Sequence, residues 1–242
     1  MKHYPMAQGG REWLRARMGR PTASAFDKII TAKKWEPVKG EARTKFAIFL
    51  LTELILDMPL SDLTTAAMEH GHEWEDRARA SYEMLHGVDV EPCGFCTTDD
   101  GTVGASPDGF VAEDGSLEVK CPAKPEIHCG YLVNPQTLAD EYWVQTQGQL
   151  YVTGRKWTDL ISYFSGMPMV TIRILPHPEF QQKLDVALRS FVCELSDLVA
   201  RAKAEGWIKD KPAPADHSRE WITQDDVDTI LASRGANERA TV

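Results

Sequence analysis

The sequence predicts an α/β or α+β fold, a central mixed sheet flanked by helices. Three observations predict it. Helical periodicity dominates the first 86 residues, short β-patterned runs separated by turn signals fill 88–121, and a helix–strand–strand–helix order follows. The chain has 242 residues, 43% of them hydrophobic, which is ample for one large core.

The elements follow in order. Arg11–Arg17 reads as a short helix broken at Gly19-Arg20-Pro21. Thr22 or Ser24 can cap the next helix, since Ser24-Ala25-Phe26-Asp27 resembles a capping box. Thr44–Asp57 is an apolar helix ended by Met58-Pro59. Asp62–His86 is the longest helical pattern, with Leu63, Ala66, Ala67, Trp74, Ala78, Tyr82 and Leu85 at helical spacing and Gly87 as its cap. Val88–Thr97, Thr102–Ala105, Phe110–Ala112 and Ser116–Cys121 are expected strands, the last two joined by a hairpin whose signal is Asp114-Gly115. Asp140–Thr153 is expected to be one helix, Leu160–Phe164 and Val170–Ile174 a strand pair, and Glu179–Glu205 a long amphipathic helix. Lys211-Pro212-Ala213-Pro214-Ala215 reads as a linker. We therefore expect one domain over 1–210 with a basic N-terminal helical segment, and a polar tail over 211–242 with a short helix at Asp225–Leu231.

Composition narrows the function classes. No apolar run approaches the ~18 residues of a membrane span, and the polar, basic start has no signal-peptide pattern. A cytoplasmic protein is the expectation. Five cysteines without a secretion signal argue against a disulfide framework. Cys93-Gly94-Phe95-Cys96 is a lone Cys-x-x-Cys; with Cys121 and Cys129 it could complete a four-thiolate metal site, or all four could be ordinary reduced thiols. His70-x-His72 could likewise bind zinc, or be surface histidines on a helix. Net charge is −9, yet residues 1–45 hold eleven Lys/Arg against four acids. That segment carries +7 and the remainder −16, an asymmetry suited to a DNA-facing arm on an acidic, metal-binding body.

The chemistry concentrates in two short pieces: Ser106-Pro107-Asp108-Gly109 and Leu117-Glu118-Val119-Lys120-Cys121-Pro122. Residues i and i+2 of a strand share a face roughly 7 Å apart. Glu118 and Lys120 can therefore reach one bound phosphate while Val119 and Cys121 point into a core. A hairpin folds Asp108 back toward Glu118, though by counting the two are diagonal neighbours at best. Two carboxylates and an amine of this kind can hold Mg²⁺ and activate a water. Acid-x-Lys triplets also arise by chance, so the alternative is a solvent-facing strand edge.

These pieces do not stand alone. Trp13…Arg17-Met18-Gly19…Thr22-Ala23-Ser24, Gly71-x-x-x-Glu75, Ser106-Pro107-Asp108-Gly109, Leu117-Glu118-Val119-Lys120-Cys121-Pro122 and Tyr142-x-x-Gln145-x-Gln147 occur in order. From about Trp13 to about Thr153 the chain resembles the phage lambda exonuclease family, the alkaline exonucleases of viral recombination. The resemblance implies a restriction-endonuclease-like core, Mg²⁺-dependent 5′→3′ digestion of one strand of linear duplex DNA, and a 3′ single strand left behind. It implies two Mg²⁺ ions, with Mn²⁺ as a substitute, and a phage- or prophage-encoded protein in a bacterial host cell. A homotrimeric ring and a single-strand annealing partner are implied as well. Glu75, Asp108, Glu118 and the Val119 carbonyl match the family's metal ligands, Lys120 the lysine beside the attacking water, and Gln145 an active-site glutamine. Arg17, Ser24 and Ser106 match positions that bind the 5′-phosphate end. The family's arginine after Cys-Pro has no counterpart at its own spacing, and Lys124 is the nearest substitute. Two other readings use the same residues less fully: a same-core endonuclease or junction resolvase, and a non-catalytic DNA-binding protein.

Overall fold

The computed structural model describes residues 1–60 and 66–208, with side chains from 74 onward in the third helix. The tail 211–242, its expected short helix, and the side chains of His70 and His72 lie outside the described residues.

The elements are β1 (Lys2–Tyr4), α1 (Arg11–Arg17), a 3-10 helix (Ala23–Lys28), α2 (Glu41–Leu56), α3 (Ala66–His86), β2 (Val90–Glu91), β3 (Phe95–Thr97), β4 (Gly104–Ala105), β5 (Gly109–Val111) and β6 (Gly115–Lys120). They continue as α4 (Pro125–Val133), α5 (Pro135–Glu141), α6 (Trp143–Thr153), β7 (Trp157–Ser162), β8 (Val170–Ile174) and α7 (Pro178–Ala204). Five strands form a mixed sheet in the order β2-β5-β6-β7-β8, with β6 and β7 parallel and the other neighbours antiparallel. A small antiparallel sheet takes the order β1-β3-β4.

The two faces of β6 are put to different uses. Leu117 and Val119 pack with Ala78 and Tyr82 of α3 and Ile161 of β7. Glu118 and Lys120 therefore point to the opposite face, where α5 and α6 lie. There Leu160, Val170 and Ile174 of the sheet pack on Leu138 and Leu150. A third cluster, between the 3-10 helix, α2, α6 and α7, holds Phe26, Phe46, Phe180 and Phe191.

Several elements differ from their sequence pattern, each for a physical reason. The segment at Ser24 is six residues of 3-10 helix without a side-chain cap. The Thr22 and Ser24 hydroxyls are instead engaged by Arg17. The expected strand Val88–Thr97 breaks into β2 and β3, which join different sheets. Gly94 turns the chain between them at φ +70°, and a Cβ there would sit 2.5 Å from the Tyr4 carbonyl oxygen. The expected helix Asp140–Thr153 is two helices that meet at Tyr142, and α4 was unmarked by apolar period. Proline opens both α4 and α5, a first-turn signal that periodicity does not register. In the β5–β6 hairpin, Gly115 is paired inside β6 and the left-handed residue is Ala112, φ +49°. Gly115 is needed there because the Trp157 ring occupies the place of a Cβ, 2.1 Å away. The ladder ends at Gly109 opposite Leu117, and the Asp108 N–H donates to the same Leu117 carbonyl, so Asp108 lies at the end of β5 next to the Glu118 strand.

Candidate active site

Asp108 stands at the mouth of the β5–β6 hairpin. Its backbone N–H donates to the Leu117 carbonyl, 3.0 Å, and its Oδ2 accepts from the Val119 N–H, 2.6 Å. The hairpin thus locks this carboxylate against the Glu118-Val119-Lys120 strand. Glu118 is buried, 3% exposed, and both its oxygens are engaged. Oε1 accepts from Lys120 Nζ at 2.6 Å and from Gln145 Nε2; Oε2 accepts from Gln149 Nε2 at 2.5 Å. Lys120 Nζ also donates to Gln145 Oε1, 3.2 Å, and lies 4.3 Å from the Tyr142 ring centroid. Glu118, Lys120 and Gln145 thereby close a three-membered ring of hydrogen bonds.

Gln149 follows Gln145 at i, i+4 on the same helix. On α6 that spacing places both amides over β6, and both donate to one carboxylate. Glu75, on α3, lines a cavity of about 320 Å³ with Asp108, Arg79 and Cys93. Arg79 Nη2 donates to Glu75 Oε1, 3.0 Å.

The electrostatics suit a cation. Burial, then the charges of Glu118 and Glu75, push the Asp108 carboxyl well above the usual carboxylate range, against Lys120 and the Val119 hydrogen bond. Burial pulls the Lys120 ammonium down, but Glu118 and Asp108 outweigh it and raise its pKa, so Lys120 stays protonated. A hard divalent cation fits three carboxylates that crowd one another, and would relieve that crowding.

A second cluster adjoins the first through the chain itself, Ser106-Pro107-Asp108. Arg17, at the end of α1, donates from Nη1 to Ser106 Oγ at 3.1 Å, and from Nη2 to Thr22 Oγ1 at 3.2 Å and Ser24 Oγ at 3.3 Å. Trp13 Nε1 donates to the same Ser106 Oγ, 2.9 Å, and its ring lies 4.1 Å under the guanidinium. Burial lowers the Arg17 pKa to about 10, against Glu53 and Glu118, so the guanidinium is charged at neutral pH. Thus Arg17, Ser24 and Ser106 come together in one cluster. Trp13 and Thr22 complete the cluster; both belonged to the motif without an assigned role. Lys124 is exposed at the N-cap of α4. Other cations of the basic segment are spent on the fold: Arg15 pairs with Asp57, and Arg43 with Glu194.

A family model described as the YqaJ-like viral recombinase domain matches residues 12–156. The chain belongs to the YqaJ-like viral recombinase family. Among solved structures it is similar to LHK-Exo, an alkaline exonuclease from Laribacter hongkongensis, at 27% identity and TM-score 0.71, over 81% of this chain and 98% of that one. LHK-Exo in complex with dAMP matches at 28% identity with the same TM-score and coverage. A phage-related exonuclease from Haemophilus somnus shares the fold at 14% identity and TM-score 0.61, over 75% and 96% of the two chains. No curated protein matches the chain. The family resemblance read from the motifs and the restriction-endonuclease-like fold class both hold, and membership of a viral recombinase and alkaline exonuclease family implies a nuclease role. Among the described residues, no helix is long and apolar enough to cross a membrane.

Proposed function

We propose that the protein is a Mg²⁺-dependent exonuclease that digests one strand of linear duplex DNA from its 5′ end, leaving a 3′ single strand for a strand-annealing partner. The observation that carries this reading is the position of the Arg17–Ser24–Ser106 cradle. It is separated from Asp108 by Pro107 alone, so a group bound in it lies beside the carboxylates. A terminal 5′-phosphate carries more charge and more acceptor oxygens than an internal one, and a charged fork flanked by hydroxyls favours it. Such contacts carry no base information, so sequence preference is weak.

Glu75, Asp108, Glu118 and the Val119 carbonyl would hold the cations. When bound, divalent ions lower the pKa of a water and stabilise the charge that develops on the scissile phosphate and leaving oxygen. Lys120, protonated and anchored on Glu118, orients that water and adds positive charge. Gln145 and Gln149 keep Glu118 in one rotamer, so the site needs no rearrangement at the moment of reaction.

The test is digestion of linear duplex bearing 5′-phosphate or 5′-hydroxyl ends, with a covalently closed circle beside it. The phosphorylated end is degraded fastest and the circle persists. Arg17→Ala slows the phosphorylated substrate about ten- to a hundred-fold, the loss of one charge-assisted contact, and hardly affects the hydroxyl end. A cut circle would instead assign the protein as an endonuclease. Equal slowing on both ends would reassign Arg17 to general DNA binding.

A further inference from the structure

The Cys-x-x-Cys pair finds a partner that sequence spacing could not name. Strand β1 pairs with β3 in the register His3 opposite Cys96. This carries His3 onto the Cys93-Gly94-Phe95-Cys96 turn. One ring nitrogen of His3 and the two sulfurs all lie within 4.8 Å of one another. The sulfurs are 3.5 Å apart and both are buried. We propose that His3, Cys93 and Cys96 form a binding site for Zn²⁺, a structural clamp distinct from the carboxylate cluster.

The geometry meets what the ion requires. Tetrahedral zinc takes thiolates at about 2.3 Å and imidazole at about 2.0–2.1 Å, which puts neighbouring ligand atoms roughly 3.4–3.8 Å apart. The sulfurs are already at that separation, and the imidazole needs a shift on the order of 1 Å. His3 Nε2 is hydrogen-bonded to the Cys93 carbonyl. A neutral ring that donates from Nε2 keeps a lone pair on Nδ1, the arrangement that orients metal-binding histidines. Two thiolates neutralise the ion, and His3, the exposed member of the group, is the side from which an ion and a fourth, water ligand would enter. Cys121 and Cys129, the partners that sequence allowed, are not in the group. Soft sulfur ligands also separate this site from the hard oxygen donors of the carboxylates, so the two select different ions.

The clamp would act on one wall of the catalytic cavity. Gly94 lets the chain at Tyr4 and Met6 cross directly over the Cys-x-x-Cys turn, with backbone atoms 2.5–2.8 Å from where a Cβ would be. The next residues, Met6, Ala7 and Gln8, line the cavity with Glu75 and Asp108. Gln8 Nε2 also donates to the Pro107 carbonyl, 2.7 Å, beside Asp108. A metal that ties His3 to the turn therefore fixes the segment that braces Pro107.

The test uses full-length, untagged protein in a phosphine reductant, titrated with Co²⁺ and then with Zn²⁺. Wild-type protein gives a thiolate-to-cobalt charge-transfer band that one equivalent of Zn²⁺ abolishes, and X-ray absorption of the zinc form shows sulfur at about 2.3 Å. Cys93→Ser and Cys96→Ser lose the band. His3→Ala weakens zinc at least about tenfold, while Cys121→Ser and Cys129→Ser bind as wild type. Should either buried substitution fail to fold by circular dichroism, the exposed His3→Ala decides. The proposal is overturned if wild-type protein shows no sulfur band. It is also overturned if His3→Ala binds as wild type, or if intact mass reveals a Cys93–Cys96 disulfide in place of zinc. None of these readouts involves DNA cleavage, so the outcome is independent of the exonuclease reading.

Discussion

Lys120 and Asp108 carry opposite electrostatic burdens at one site. Lys120 is anchored by Glu118, Gln145 and the face of Tyr142, whereas Glu118 keeps two amide donors if the lysine is removed. Lys120→Ala should therefore retain Mg²⁺ and DNA binding while strand cleavage falls at least about a hundred-fold, the scale of a lost charge stabiliser. Calorimetry for binding and single-turnover digestion for rate separate the two, and near wild-type cleavage would remove Lys120 from the chemistry. Asp108 is raised by burial and by Glu118 and Glu75, so the folded protein holds this proton more tightly than the unfolded chain. Its contribution to stability is full below the ordinary carboxylate range, about pH 4, and is lost as pH rises through the raised folded value. In metal-free protein Asp108→Asn, which can still accept from Val119, should melt higher than wild type at alkaline pH, and the gap should close on acidification. Mg²⁺ should raise the wild-type melting temperature at alkaline pH and leave the variant nearly unchanged. Thermal melts across pH decide it; a wild-type curve parallel to that of Asp108→Asn would contradict the crowding of these carboxylates.

At the scale of elements, α6 joins the two clusters. Its Gln145 and Gln149 hold Glu118, and one turn along, Gly148 receives the 3-10 helix that carries Ser24. A Cβ on Gly148 would stand 2.5 Å from the Phe26 ring and 3.2 Å from Ala23. Phe26 is fully buried and cannot swing away. Gly148→Val should destabilise the protein by about 1–3 kcal/mol through overpacking. It should also displace Ser24 from Arg17, narrowing the rate difference between 5′-phosphate and 5′-hydroxyl ends. Urea unfolding and the two-substrate digestion measure these effects. An unaltered midpoint would show that the 3-10 helix shifts freely over α6. The same contact shows how little of this arrangement was local. Gly148 reads in the sequence as a weak point in a helix, and its purpose is visible only against Phe26, far away in the chain.

For the whole molecule, charge raises a question of its own. A chain of net −9 has little Coulombic hold on DNA, although phosphate contacts normally supply that hold. Several cations of the basic first segment are occupied within the fold, which weakens the arm further. We propose a homotrimeric ring that confines DNA by topology, built from heterologous contacts that close on themselves. The domain 1–210 would suffice for it. Full-length protein and a 1–211 truncation should both scatter light as trimers at micromolar concentration and digest many nucleotides per binding event. A monomer, or digestion that turns distributive against excess competitor DNA, would refute the ring.

Periodicity and turn chemistry act over a few residues, and what they control was legible from the sequence alone. That covers the helix Arg11–Arg17, the long helix ending at Gly87, strand Val170–Ile174, and the shared face of Glu118 and Lys120. The order of the motifs pointed to the family, because the proposed chemistry of Asp108, Glu118 and Lys120 would constrain residue types at short spacing. Convergence is another matter. Arg17 meets Ser106 across 89 residues, Gln145 meets Glu118 across 27, and His3 meets Cys93 across 90. Such meetings depend on sheet register and on where backbones can approach without a Cβ, as at Gly94 and Gly148. Sequence determined which residues could do the chemistry. Only packing decided that the Asp108 carboxylate accepts from the Val119 N–H, that Gln149 bonds a carboxylate rather than water, and that His3, unmarked in any motif, lies beside two buried thiols. The physical reason is that side-chain direction is set locally, whereas the distance between elements is set by the whole core.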